Sequence, residues 1–193
     1  EDDLNVLSTA ALLHDIGKIM IPNEILTKPG KLTVAEYNIM KQHVNFGYEK
    51  VKNQNIDIRI KEACLLHHEK CDGTGYPFGL KSDHIPAVAK IIAIADVYDA
   101  MTSARVYRGA LCPFEVIDTM YKDAFTKFEP EYILPFLKNV ASSYINNDVR
   151  LSDGRIGKVV LINENALSLP IVQCEDEFID LSKTRGLTVS AIL

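Results

Sequence analysis

The stretch His67-His68-Glu69-Lys70-Cys71-Asp72-Gly73-Thr74-Gly75-Tyr76-Pro77 constrains the fold of this chain more than any other. Adjacent histidines at a helix end point about 100° apart, so both reach one polar cavity only where that cavity wraps the helix. Two imidazoles, a carboxylate and a glycine-broken loop are a poor recipe for stability and a good one for a metal site. Glu69 stands where it can orient an imidazole through its second nitrogen. Other candidate ligands have to converge on the same place. His14-Asp15 closes the apolar stretch Ala10–Leu13, His43 falls on a second expected helix, and Asp96 ends the run Ile91-Ile92-Ala93-Ile94-Ala95. An aspartate in so apolar a run is costly unless paired or coordinated. Histidine with carboxylate and no thiolate suits iron, manganese or similar ions better than a structural zinc.

Helices dominate the pattern. Thr33-Val34-Ala35-Glu36 is a capping box, and the helix it opens is expected to run through Tyr37, Met40 and His43 to about Val51. A second helix spans about Ile58 to the histidine pair. Pro86, Pro113 and Pro130 each open a further helix, in keeping with proline in a first turn, ending near Thr102 for the first and Tyr144 for the last. Between Asp72 and Pro86 the glycines and prolines forbid regular structure and fit a pocket-rim loop. The pattern changes near Asn146-Asn147-Asp148. Beyond it lie β-like runs at Ile156–Ile162, Pro170–Gln173 and Glu177–Leu181. These readings give residues 1–147 as the main helical domain and 148–193 as a small β-rich appendage. Some 45 residues bury little alone, so the tail is expected to pack on the bundle or on a partner.

Composition excludes more than it identifies. A net charge of −5 argues against a general nucleic-acid binder. The four cysteines form no Cys-x-x-Cys pair and read as reduced thiols. No apolar run approaches the ~20 residues of a membrane span, and Glu1-Asp2-Asp3 is no signal peptide. The expectation is a soluble cytoplasmic enzyme. Cys64 lies three and four residues before the histidine pair yet reads as a small core residue. His84 reads as a solvated loop residue, and Tyr107 suits base stacking and packing equally.

The chain resembles an HD-GYP domain, a subclass of the HD metal-dependent phosphohydrolases. The resemblance rests on His14-Asp15-Ile16-Gly17-Lys18, Ile21-Pro22, Lys28-Pro29-Gly30, His43 and His67-His68-Glu69. It continues through Asp72-Gly73, Gly75-Tyr76-Pro77, Asp96-Val97-Tyr98-Asp99-Ala100 and Arg105-Val106-Tyr107-Arg108, so it covers roughly residues 4 to 140 in order. It implies an all-α, HD-type helical bundle, here with the small C-terminal β appendage. It further implies a bacterial phosphodiesterase that opens cyclic di-GMP to the linear dinucleotide and onward to GMP.

By the same resemblance His14, Asp15, His43, His67, His68 and Asp96 are metal ligands for two or three divalent ions, iron or manganese, with Asp15 as the bridge. Lys18 contacts the scissile phosphate or helps the leaving oxygen. Gly75, Tyr76 and Asp99 shape the substrate pocket, and Arg105 and Arg108 hold phosphate or guanine. The resemblance also implies an upstream sensor or receiver domain, or a signalling protein, as partner. Paired ions lower the pKa of a water and neutralise charge on attacking and leaving oxygens. A lysine beside them adds positive charge where negative charge grows, and arginine's planar fork fits phosphate or a guanine edge.

Two departures stand out. In the family a preceding helix usually adds another histidine and, in some members, a glutamate. Here Glu1 lies only 13 residues before His14 with no initiator methionine, so the expectation is a fragment or a cluster without that part. Val106 replaces the proline usual between Arg105 and Tyr107. Two other readings are a non-catalytic module that binds nucleotide or protein, and a broader phosphohydrolase of mononucleotides. The first is favoured by the missing helix and opposed by the remaining ligand set. The second is opposed by Gly75-Tyr76-Pro77 and the two arginines.

Overall fold

Residues 2–103 and 109–193 are described by the computed structural model; Arg105, Val106, Tyr107 and Arg108 therefore lie outside the described residues. The chain divides into two compact units, with the division inside one helix between Val97 and Tyr98. Among the described residues, the first holds those up to 97 together with 126–129, and the second holds 98–103, 109–125 and 130–193.

In the first unit the helices are α1 (Asp2–Leu13), α2 (Asn23–Leu26), α3 (Val34–Met40), α4 (His43–Val51) and α5 (Ile58–Leu66), followed by α6 (Ala87–Thr102), which carries the division. Val6 and Ala10, four apart on α1, meet Ile60 and Ala63 on α5 and Ile92 on α6 in one buried cluster. Two of the five contacts are alanines without any exposure, so the helices approach closely. Each large aliphatic side chain withdrawn here contributes about 1.5–3 kcal/mol. A second cluster, Leu66 with Ile85 and Ala89, fixes the far end of α5 against the start of α6.

The helix expected over Thr33–Val51 is two helices. The capping box is formed: Thr33 Oγ1 accepts from the Glu36 backbone N–H at 3.3 Å, and the Glu36 carboxylate accepts from the Thr33 N–H at 2.8 Å. The break falls just ahead of His43, whose ring Nδ1 donates to the Met40 carbonyl at 2.8 Å. A side-chain donor thus serves a carbonyl where the helical ladder is interrupted. Between Asp72 and Pro86 the chain is more ordered than its glycines suggest. Asp72 and Lys81 form an isolated antiparallel bridge, and Ser82–His84 make one 3-10 turn.

The second unit corrects the all-α expectation. It combines α7 (Pro113–Asp123) and α8 (Pro130–Ser143) with a five-stranded antiparallel sheet, β1 (Asp148–Leu151), β2 (Ile156–Leu161), β3 (Ile171–Cys174), β4 (Glu177–Asp180) and β5 (Val189–Ile192), in the order β4-β3-β2-β1-β5. Strands β2 to β4 match the sequence reading; β1 and β5 do not appear in it. Asp148–Leu151 is short and polar at alternate positions, and only pairing with both β2 and β5 reveals it as an interior strand. The sheet does not stand alone, because α7 packs on both β5 and α8. Phe114, Ile117 and Met120 of α7 and Ile133 and Leu137 of α8 are almost wholly withdrawn from solvent. Among the described residues no helix is long and apolar enough to cross a membrane.

Candidate metal centre

Five of the candidate ligands lie at helix ends in the first unit, and the sixth lies within a helix. His14 and Asp15 follow α1, in the turn that leads into a 3-10 helix at Ile16–Met20. His43 opens α4, and His67 caps the C-terminus of α5 with His68 next to it. Asp96 sits on α6. Their donor atoms gather into two sets that share Asp15: Asp15, His43, His67 and His68, and His14, Asp15 and Asp96, with the atoms of each set within 4.8 Å of one another.

Backbone carbonyls set the tautomers. The Nδ1 of His14, His43 and His67 lies 2.8, 2.8 and 2.9 Å from the carbonyls of Ala11, Met40 and Ala63. A carbonyl only accepts, so each Nδ1 carries the proton, and wherever the ring is neutral its Nε2 presents a lone pair. The Nε2 atoms of His43 and His67 then face each other across 3.4 Å. Around them, Asp15 Oδ1 lies 3.4 Å from His43 Nε2 and 3.8 Å from His67 Nε2. It is fully buried without a hydrogen bond. Two lone pairs and a carboxylate oxygen converging with no proton between them suit a shared cation, and buried polar atoms otherwise find partners. The second set is similar, with His14 Nε2 3.3 Å from Asp15 Oδ2 and 3.9 Å from Asp96 Oδ1. The residues present therefore fit divalent ions.

The electrostatics agree. Burial and neighbouring imidazoles push His67 down to about 3 and His68 down to about 2, and burial also lowers His43. These rings are neutral and ready to ligate at physiological pH. Burial opposes ionisation of Asp15, but hydrogen bonds from His14 and Lys18 outweigh it and hold the carboxyl well below its usual range. On His14 burial is likewise outweighed by the hydrogen bond and charge of Asp15, so its pKa is raised. Lys18 Nζ donates to Asp15 Oδ2 at 2.5 Å, which leaves Oδ1 as the free face of that carboxylate.

Tyr76 stacks on the His68 ring, centroids 4.8 Å apart and planes 26° from parallel. Burial pushes its hydroxyl pKa upward, so it stays a neutral donor. Gly75 allows this: a Cβ there would lie 2.5 Å from Glu69 Cα and Lys70 N and 2.6 Å from the His68 carbonyl. Asp99 belongs to the second unit, where its carboxylate accepts from Ser103 Oγ at 3.3 Å. Cys64 is buried with its thiol 3.4 Å from the Leu13 carbonyl, as a core residue would be. His84 is exposed on its loop.

Glu69 has a different place from the one expected. Its carboxylate accepts from three successive backbone N–H groups, Phe78 at 2.7 Å, Gly79 at 3.1 Å and Leu80 at 2.9 Å, and among the described residues it bonds no imidazole. The helix carbonyls take that task instead, and Glu69 folds the loop that presses Tyr76 onto His68. Replacing Glu69 with alanine strands those N–H groups at about 1–3 kcal/mol each, less whatever water recovers. A net loss of about 2 kcal/mol should lower the melting temperature by about 4–8 °C. Thermal denaturation followed by circular dichroism checks this, and an unchanged midpoint would show that the tie contributes nothing.

Two glycines carry weight that the sequence did not reveal. A Cβ on Gly17 would lie 1.9 Å from the His43 carbonyl and 2.4 Å from Gly47 N. The 3-10 turn after Asp15 thus crosses α4 backbone against backbone. Gly47 sits four residues after His43, so a glycine pair at the motif and one turn past the histidine was the available signal.

Comparison with known proteins follows the geometry. An HD domain family model matches residues 1–132. A cyclic di-GMP phosphodiesterase of Pseudomonas aeruginosa is 39% identical over 165 residues, which is 85% of this chain and 40% of that protein. A 3'3'-cGAMP-specific phosphodiesterase of Vibrio cholerae is 38% identical over 136 residues, 69% of this chain and 26% of that protein. The chain thus spans less than half the length of these relatives. A solved HDG"Y"P protein from Bdellovibrio bacteriovorus superimposes with a TM-score of 0.56 at 22% identity, over 68% of this chain and 42% of that one, a likeness of fold.

Proposed function

The chain belongs to the HD domain family, and on that premise we propose that it is a metal-dependent phosphodiesterase of the HD-GYP type that hydrolyses cyclic di-GMP to the linear dinucleotide and on to GMP. The observation that carries this reading is the buried, unpartnered Asp15 Oδ1 amid the Nε2 lone pairs of His43 and His67. His14, Asp15, His43, His67, His68 and Asp96 would hold two or three divalent ions, iron or manganese. Ions bound there supply a water of lowered pKa and offset negative charge on the phosphodiester oxygens.

The chain's own groups do the rest. Asp15, with Oδ2 tied to Lys18, keeps Oδ1 aimed at the imidazole set. Lys18 places a cation at the edge of the cluster, where it can donate to a phosphoryl oxygen or to the oxygen that leaves as the P–O bond breaks. Tyr76, locked on His68, forms a wall of the cavity and leaves its hydroxyl as a hydrogen-bond donor. Asp99, Arg105 and Arg108 are proposed as further substrate contacts by the family pattern. A sensor, receiver or signalling partner would regulate the domain, and the work would be cytoplasmic. The HD-GYP-like loop and the relatives' names together favour a cyclic dinucleotide over a mononucleotide.

The test is metal analysis of protein purified without oxygen, followed by incubation with cyclic di-GMP and chromatography of the products. Two or more iron or manganese ions per chain with linear dinucleotide formed is the expected result. Metal below one ion per chain with intact substrate would favour the non-catalytic, nucleotide- or protein-binding module.

A further inference from the structure

A cavity of about 700 Å³ opens over the metal centre, and its charge runs against that of the chain as a whole. Lys18, Lys28, Lys31 and Lys70 line it, against one lining carboxylate among the described residues, Asp96. Two of those lysines are committed. Lys18 is held by Asp15 at 2.5 Å, and Lys28 donates to both carboxylate oxygens of Glu36 at 2.8 and 2.7 Å. Lys31, in the loop ahead of α3, and Lys70, just past the histidine pair, form no ion pair among the described residues.

An exposed lysine is ordinarily only solvated. Here two of them border the same concavity as the ligand imidazoles, in a protein of net charge −5. A cyclic dinucleotide carries two phosphodiesters in one ring. When one is presented to the ligand cluster, the second is held elsewhere in the cavity as a desolvated anion that needs its own cations. Lysine serves phosphate as a point charge with rotatable donors.

We propose that Lys31 and Lys70 form a subsite for the second phosphodiester, the one not being cut, and that this subsite selects cyclic dinucleotides over ligands with a single phosphate. The proposal rests on the phosphodiesterase reading above and names which part of the cavity recognises the substrate.

The test compares the parent chain, loaded with manganese, with the Lys31→Ala/Lys70→Ala double variant. The KM for cyclic di-GMP should rise about tenfold, the loss of one charge-assisted contact or more, with kcat little changed. Hydrolysis of bis(4-nitrophenyl) phosphate, which has one phosphodiester, should stay within about twofold, and Lys31→Arg/Lys70→Arg should restore the KM. Equal losses on both substrates, or an unchanged KM for cyclic di-GMP, overturn the subsite. Titration calorimetry with cyclic di-GMP separates this from failure of the phosphodiesterase reading. If the parent hydrolyses neither substrate, that reading fails while a tenfold weaker Kd in the double variant upholds the subsite. Absent binding to the parent, or equal Kd values, overturns it.

Discussion

Asp15→Ala is expected to lower turnover of cyclic di-GMP by at least about 10³-fold, comparable to removing a major electrostatic stabiliser. It should also strip metal from the protein. Asp15 is the one residue common to both donor sets. Its Oδ1 lies within 3.4–3.8 Å of the Nε2 atoms of His43 and His67, and its Oδ2 lies 3.3 Å from His14 Nε2 and 2.5 Å from Lys18 Nζ. Alanine leaves three imidazoles without the carboxylate they share and frees the lysine. Cations held by the two donor sets would lose the one carboxylate that serves both. The separating measurement is metal content by mass spectrometry beside product formation by chromatography. Loss of both supports Asp15 as the bridge. Loss of turnover with full metal content would make Asp15 a catalytic group that ligates nothing, and unchanged turnover would sink the metal mechanism. Folding should survive, because the Asp15 side chain is part-exposed.

The convergence of the candidate ligands was legible because all of them but His43 broke a local rule. Asp96 interrupts an apolar run, His14-Asp15 ends a buried stretch, and His67-His68 precedes a loop too rich in glycine to be kept for stability. The reading failed where partners come from distant backbone. Glu69 beside two histidines suggests an imidazole partner, yet the N–H groups of Phe78–Leu80 reach it first. Nothing in composition reports which way a loop nine residues on will fold. The break before His43 was hidden for a similar reason: Thr33 through Val51 has helical periodicity throughout, and what interrupts it is a side chain taking the Met40 carbonyl. Strands β1 and β5 were missed because neither holds two adjacent β-branched or aromatic residues, as β3 does in Ile171-Val172 and β4 in Phe178-Ile179.

Gly17→Ala should be as informative as any ligand substitution, though it removes no chemical group. The added methyl carbon would start 1.9 Å from the His43 carbonyl oxygen and 2.9 Å from Gly47 Cα. The three nearest atoms are all backbone, so no flexible side chain relieves the closest contacts. The turn carrying Asp15 and the helix carrying His43 must separate by an ångström or more, on opposite sides of one metal set. A displacement of about 1 Å at reacting groups costs on the order of 10²-fold in rate, and overpacking of this kind costs about 1–3 kcal/mol. The variant should therefore lose about 100-fold in turnover and melt about 2–12 °C lower. Gly47→Ala is the control from the other side of the same contact. Its Cβ would lie 3.4 Å from Gly17 N and 3.7 Å from Gly17 Cα, ordinary van der Waals distances. In the interior of α4, alanine should even stabilise the helix by up to about 1 kcal/mol. Turnover, metal content and melting temperature measured on the pair decide the matter. Equal behaviour of the two variants would show that the backbone crossing at Gly17 does not hold the two halves of the centre in register.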